Sequence, residues 1–592
     1  MDNEKLERQS SLQGNDIFIS AAFRRFLFPT ILSLLGASVC NIADSAIVGN
    51  VMGTQGLAAM SLVSPLFFIC TTLGSLIGVG GATLASIRVG RGDIDGVNRM
   101  LTLSLSLLVL LGLSLSAAGL IFIEPLLDML HAVDGELREM ARDYCLAFIP
   151  GALANMILYI PLNFLRITGK PGAGAWMFGI MAVSNIAICL VLLLSFDMGL
   201  KGVGLAMVLG SAIALLYGFG CFFKKDCPLR FAPFFSELKQ IPSLIVTGSP
   251  MALTNLLTFL RTLGYNHMLI ACLGVGGVSV FAVLGNVSTF ALALLSGVWQ
   301  TIAPLTGVFY GERDTQSVRR VMFVSLRWGF FISAAFALLV CLAWKPACLA
   351  FGMSDASLFP QARLALSLFG LSVIPAMVSG SFQSYYMTIR VVWLANLISA
   401  CRSLILPVSI SLLASRLSPE YVWSGFLLGE LLTIPVFFVC ARLVAKARGM
   451  SGVLLLDERD SREGKAIAFS VLSNIGAIME ASEKISVFCE QNRLDSKRSI
   501  LISLSLEELL ISISEHAFDE GETGSMDIRL FATGDDVVMR IRNGGREFDP
   551  IKFFENNPND IDQCLGIQII VMGAKEVKYT RTLGVNNLTV LI

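Results

Sequence analysis

About twelve runs of mostly apolar residues, each twenty or more long, constrain this chain more than any other feature. They fall at roughly 22–50, 57–87, 100–127, 138–165, 173–196, 202–223, 243–271, 277–308, 321–350, 360–389, 392–416 and 421–442. A helix needs about 20 apolar residues to cross the roughly 30 Å hydrocarbon core, where every backbone N–H and C=O must be satisfied internally. The sequence therefore predicts an all-α membrane protein of about twelve transmembrane helices over most of its length. Only 15% of the residues are charged, against about 25% in soluble domains. Of the 88 charged residues, 38 lie in the last stretch, 457–592, with 15 bases against 23 acids. Such a shift in composition marks a domain boundary. The remainder carries 29 bases against 21 acids, so the neutral total conceals a basic membrane part and an acidic tail. Neither has the strongly basic balance of a nucleic-acid binder, and no nucleic-acid partner is expected.

Lys and Arg set the expected orientation. Arg24, Arg25, Arg88, Arg91, Arg99, Arg166, Lys170, Lys225, Arg313 and Lys446 gather at alternate ends of the runs, while the opposite ends are charge-poor or acidic, as at Glu124, Asp128 and Asp134. By the positive-inside rule the basic ends are cytoplasmic, and an even number of spans puts both termini there too, in a multi-pass cell-membrane protein. Met1 to Asp16 are polar and lack the short apolar run of a cleavable signal peptide. The thirteen Cys residues, with no C-x-x-C among them, lie mostly in apolar runs and read as small buried hydrophobes.

The two halves repeat. Pro29 stands 64 residues before Asp93 and Pro250 stands 64 before Asp314. The same offset of 221 superposes Gly53 on Gly274, Gly56 on Gly277, Gly90 on Gly311 and Arg99 on Arg320. Gly and Pro mark turns and kinks, so shared spacing at these residues reads as an internal duplication. The expected organisation is a cytosolic N-terminal tail (1–19), two six-helix lobes (20–235 and 236–446), a linker (447–465) and a cytosolic domain (466–592). Transporters built from such halves hold substrate between them and rock one against the other.

Ionisable residues inside apolar helices mark the chemistry. Asp44 lies in the first run, where a carboxylate at the bilayer centre costs about 2.5–3.5 kcal/mol unless it meets a proton, cation or partner. The competing view places Asp44 near the end of its helix, within reach of water. Arg261 keeps its charge in any protein, so within the seventh run it faces a partner or a water-filled cavity. It is flanked by Asn255 and Asn266, and His267 follows as a relay candidate or a satisfied core residue. The sharpest expectation pairs Arg261 with Asp44 across the lobes; the alternative pairs Arg261 with an interfacial group or backbone carbonyls. Arg402 and Glu430 are further ionisable residues in apolar runs, structural or functional.

The run Asp44-Ser-Ala-Ile-Val-Gly49, Gly53, Gly56-Leu-Ala-Ala59 and Gly90-Arg91-Gly92-Asp93 resembles the first repeat of the multidrug and toxic compound extrusion (MATE) family. Leu165-Arg166, Gly169-Lys170-Pro171, Asn185, Gln300, Pro304, Gly311, Arg402 and Pro407 extend the likeness over about 20–445. The resemblance implies a secondary antiporter in the lipid bilayer that exports small organic compounds, often cationic or amphipathic, in exchange for H⁺ or Na⁺. Asp44 takes the position of the coupling carboxylate, where Na⁺ would bind, with Asn185, Arg261, Asn266 and Gln300 as further coupling or substrate residues. Where many members carry an Asp four residues after Asn185, this chain has Cys189.

The tail reads as an α+β domain: helices over Ala466–Asn492 and Arg498–Phe518, strands at 526–531 and 537–542 joined through Thr533-Gly534-Asp535, a helix at 565–573, and strands at 577–582 and 587–592. Glu507-Glu508, Ser512 and His516-Ala517-Phe518 form one motif, Arg542-Asn543-Gly544-Gly545 with Phe548-Asp549-Pro550 a second, and Leu565-Gly566-Ile567 a third. Together they resemble the Bergerat-fold helix/sheet sandwich of histidine kinases, gyrase and, above all, anti-sigma-factor serine kinases. That resemblance implies ATP and Mg²⁺ as ligands, Glu508 as catalytic base, Ser512 at the metal position, and His516, Asn543, Gly545 and Gly566 around the nucleotide. Three departures point to a degenerate sensor or partner-binding module more than an active kinase. Ser512 replaces the metal-binding Asn, Asn543 the adenine-binding Asp, and Cys564 the first Gly of the third motif. The sequence thus supports an antiporter with a cytosolic regulatory or nucleotide-sensing domain that contacts a regulatory protein. The alternative is a transporter-like membrane receptor that signals by phosphorylating or sequestering a regulator.

Overall fold

A computed structural model describes all residues except 1, 130–134, 225–226, 313, 352, 354, 451, 457–464, 493, 520–523, 534–535, 558–566, 569 and 583. Asp134, Lys225, Arg313, the turn at Gly534-Asp535 and the motif Cys564-Leu565-Gly566 lie outside the described residues. The chain divides into two compact units: Phe23–Asp314 with Val321–Leu443, and Val444–Ile592 with Met1–Ala22 and Thr315–Arg320.

Twelve helices among the described residues are long and apolar enough to span a bilayer. The first six are α1 (Ile19–Gly53), α2 (Ala59–Gly90), α3 (Ile94–Ile121), α4 (Glu136–Ile167), α5 (Pro171–Leu194) and α6 (Gly199–Phe223). The second six are α7 (Phe235–Gly274), α8 (Gly276–Gly311), α9 (Thr315–Leu342), α10 (Ala356–Thr388), α11 (Val392–Ser415) and α12 (Pro419–Arg448). Outward faces stay apolar, as at Leu32, Trp176 and Leu216, all more than 60% exposed, which suits hydrocarbon rather than water. The third span begins earlier than its expected residue 100. Asp93 caps it by accepting from Gly96 N at 2.8 Å, so the polar turn 94–99 is already helical.

The duplication is visible in the backbone. Gly53 (φ 66°, ψ −155°) and Gly274 (φ 64°, ψ −158°) break the helix in the same conformation, open to glycine and strained for other residues. Gly169 (φ 85°) has its counterpart at Arg390 (φ 65°), a left-handed turn before α5 and before α11 alike.

The C-terminal unit holds a five-stranded antiparallel sheet of β1 (Lys465–Leu472), β2 (Ser525–Thr533), β3 (Asp536–Asn543), β4 (Glu576–Thr582) and β5 (Val585–Leu591), in the order β1-β2-β3-β5-β4. Pairings such as Phe469 with Ile528 and Ile541 with Leu588 set its register. Met526, Ile528 and Leu530 alternate inward from β2 and meet Ile485, Leu506 and Leu510 of α13 (Ile475–Gln491) and α14 (Ser496–Ala517) in one core. The expected helix over Ala466–Asn492 is corrected here. Its first part is β1, where Phe469 and Val471 alternate into the core, and α13 starts only after Asn474 caps it by accepting from Ala477 N. A further helix, α15 (Pro550–Asn556), stands where the sequence reading had a loop, nucleated by Pro550 and by Asp549 accepting from Ile551 N.

Candidate functional site

Asp44 sits on α1 and is 4% exposed. Its Oδ2 accepts from Asn185 Nδ2 of α5 at 2.8 Å, while Oδ1 has no hydrogen-bond partner among the described residues. The expected pairing with Arg261 is not made: no ion pair joins the two among the described residues, and Asn185 is the partner Asp44 finds. Cys189, one turn beyond Asn185, is fully buried. It stands where the resemblance would place a second carboxylate.

Arg261 instead lines a cavity of about 350 Å³ between the two repeats. Thr83, Ser86 and Arg166 reach it from the first repeat, and Trp299, Gln300 and Glu430 from the second. Arg402 enters from a π-turn at Cys401–Ile405, an irregularity that re-aims a side chain within a helix. Its Nε lies 3.3 Å from Glu430 Oε1, its guanidinium stacks 4.6 Å from the Trp299 ring, and Ser379 Oγ donates to Glu430 Oε2 at 2.8 Å. Arg261 lies 6.0 Å from the centre of the Phe426 ring. Arg166, 3% exposed, donates through Nη1 to Gln300 Oε1, and its Nε and Nη2 have no partner among the described residues.

The structure thus gathers Arg261, Gln300, Arg402 and Glu430 and leaves Asn266 and His267 outside the cavity, His267 on an exposed face. The sequence pattern makes Arg166 a cytoplasmic end charge. Its place in the cavity wall had no local signal, because only the packing of α4 against α8 reveals it.

Away from the cavity lining, the two repeats meet in close backbone contact. A Cβ added at Gly248 of α7 would lie 1.8 Å from the carbonyl oxygen of Leu76 on α2, and one at Gly80 of α2 would lie 2.5 Å from that of Leu244 on α7. Further along, Gly90 meets Val308 O and Gly311 meets Ile87 O at 2.0 and 2.2 Å by the same construction. Only glycine lets helices approach this closely.

In the C-terminal unit the second motif is internally occupied. Asn543, 2% exposed, accepts through Oδ1 from Asn586 Nδ2 at 2.8 Å and from Gly545 N at 3.1 Å. Tyr579 in turn donates to Asn586 Oδ1 at 2.8 Å, and burial pushes its phenol up to about 12. An amide oxygen has two lone pairs, both taken here, where an aspartate would keep a second oxygen for an adenine amino group. His516 stacks on Phe548 at 4.7 Å and abuts Phe553 at 4.5 Å, and its Nδ1 bonds Ser512 O. Ser512 Oγ is buried without a hydrogen-bond partner among the described residues, and Glu508 is half-buried one turn before it. No group of three or more His, Cys, Asp or Glu suited to a metal occurs among the described residues.

The repeat, the glycine breaks and the inter-lobe cavity agree with the comparisons. A MatE family model matches residues 29–191 and again 250–413, in the offset of 221 already seen, over more than half of the chain. The chain belongs to the MatE family. A histidine kinase-like ATPase domain model matches 473–592. Among curated relatives, the FAD transporter of Shewanella oneidensis is 25% identical over 304 residues, 50% of this chain and 66% of that protein. The multidrug export protein MepA of Staphylococcus haemolyticus is 27% identical over 36% of this chain and 47% of its own length. The chain thus spans about half to two-thirds of these relatives. Among solved structures, an outward-facing multidrug resistance MATE transporter of the MOP superfamily matches with TM-score 0.68 and 21% identity, over 72% of this chain and 96% of that one. A MOP superfamily transporter from Pyrococcus furiosus matches equally well, at 0.68 and 20% identity over 73% and 97%. The MatE fold makes this a multi-pass membrane protein.

Proposed function

We propose that this MatE protein is a secondary antiporter that exports a small organic compound across the cell membrane in exchange for H⁺ or Na⁺, with both termini cytoplasmic. The observation that carries the reading is Asp44, a buried carboxylate with one oxygen satisfied by Asn185 and the other lacking a donor among the described residues. Such a group is stable in an apolar helix when a proton or cation completes it. The cavity between the repeats and the glycine seam that joins α2 to α7 support the rest of the cycle. Rocking the lobes would part α2 from α7 and open the cavity to the other side. The relatives named for FAD transport and multidrug export support an organic substrate. A potential of 100 mV contributes about 2.3 kcal/mol per charge moved.

The C-terminal unit is read as a regulatory module that contacts a cytosolic protein, since its adenine-position acceptor is occupied from within. The testing experiment follows efflux of fluorescent organic compounds, of either charge, from cells lacking other pumps. Intact chain and Asp44→Asn are compared at equal expression, with an uncoupler and with Na⁺ removed. Gradient-dependent efflux by the intact chain, lost in Asp44→Asn, is the expected result. Full efflux in the variant would refute the coupling role, and no efflux of any compound would refute the transport reading.

A further inference from the structure

We propose that the cavity between the repeats takes organic anions bearing a planar aromatic group. This deepens the transport reading and rests on it. Among the described residues, three guanidinium groups and one carboxylate line the cavity, Arg166, Arg261, Arg402 and Glu430. Glu430 is held by Arg402 and by the Ser379 hydroxyl, so the pair is mutually neutralised and two positive charges remain. Asp44 does not supply the balance: it does not line the cavity, and its bonded oxygen faces Asn185.

Arginine stays charged in proteins, and an isolated charge in a low-dielectric setting requires a counter-charge. Arg166 makes the need concrete. It is 3% exposed and is bonded only to the neutral Gln300 among the described residues, so its charge is offset by no carboxylate among them. A guanidinium group that lines a cavity is matched in charge by a carboxylate or phosphate. An organic cation would find the opposite field, with a single carboxylate already engaged.

The remaining wall selects a ring. Phe68, Trp299, Phe369 and Phe426 line the same cavity, with Arg402 stacked on Trp299 and Arg261 near Phe426. Aromatic faces orient the guanidinium groups without cancelling their charge and offer planes on which a flat ligand stacks. An anion leaving the negative side of a membrane also moves with the potential, which lowers the demand on the coupling ion.

The test uses the purified full chain and three probes of similar planarity: FMN (anionic), riboflavin (the same ring, neutral) and ethidium (cationic). Equilibrium dialysis should show FMN bound at least about tenfold tighter than riboflavin, and ethidium weaker than either. Arg166→Gln and Arg261→Gln should each weaken FMN about tenfold and leave riboflavin unchanged. Arg166→Lys and Arg261→Lys retain the charge but lose the planar donor fork, should bind FMN more tightly than the corresponding Gln variants and more weakly than the native chain, and separate loss of charge from loss of fold. Riboflavin or ethidium binding as tightly as FMN, Gln variants weakening riboflavin equally, or no FMN binding up to about 1 mM would each overturn the proposal.

Proteoliposomes with an imposed H⁺ or Na⁺ gradient separate the two readings. Asp44-dependent movement of ethidium without FMN sinks the anion proposal alone. Arginine-dependent FMN binding with no gradient-driven movement of any probe sinks the transport reading and supports the anion site.

Discussion

Gly248→Ala tests whether the glycine seam decides which conformation this protein holds. The added methyl would stand 1.8 Å from Leu76 O, 2.8 Å from its carbonyl carbon and 3.1 Å from its Cα. All three atoms are backbone, so no rotamer change relieves the clash. Restoring an ordinary contact of about 3.4 Å requires α2 and α7 to part by about 1.6 Å, the kind of overpacking that costs about 1–3 kcal/mol. At 1.4 kcal/mol per tenfold, a midpoint of about 2 kcal/mol moves the balance between the sealed and parted arrangements about thirtyfold. The assay is a spin-label distance distribution between Arg91→Cys and Glu312→Cys in a background without other cysteines. The native chain should show one short distance, and Gly248→Ala a second, longer population that dominates. Gly172→Ala serves as control, because its Cβ would meet nothing within 4 Å. An unchanged distribution in both Gly248→Ala and Gly80→Ala would refute the reasoning, since α2 and α7 would then absorb a methyl without separating.

Glu430→Ala leaves Arg402 buried without its carboxylate and should destabilise the chain by about 3–5 kcal/mol, whereas the double variant Arg402→Met/Glu430→Leu should recover most of it. Thermal unfolding in detergent reads both, and a single variant as stable as the native chain would show that the pair contributes nothing. MgATP should leave the melting temperature of the C-terminal unit in the full chain unchanged, because both lone pairs of Asn543 Oδ1 are spent within the protein. A saturable rise would correspond to about 2.7 kcal/mol at a hundredfold excess over Kd and would restore nucleotide sensing.

Much of this architecture is legible in one dimension. Span length, the composition shift near residue 457 and the offset of 221 depend only on which residues follow one another, and the bilayer imposes a length rule that short-range reading satisfies. The same holds for Asp44, whose cost in an apolar helix marks it before any contact is known. The sequence also carried the α+β character of the tail, although it merged β1 into α13, because Ala466–Asn492 is apolar at spacings compatible with either period until Asn474 caps the helix.

What a charge faces is decided only by the tertiary structure. Asp44 and Arg261 occupy the first helices of their repeats and looked like partners, yet Asp44 meets Asn185 inside its own lobe and Arg261 turns to the cavity. Arg166 read as a membrane-edge cation until α4 packed beside Gln300. Asn543 read as a weakened acceptor until Asn586 and Gly545, distant or adjacent in sequence, filled both of its lone pairs. Burial and hydrogen-bond competition are properties of the space around a group. The chain order specifies that space only after the helices and strands have packed.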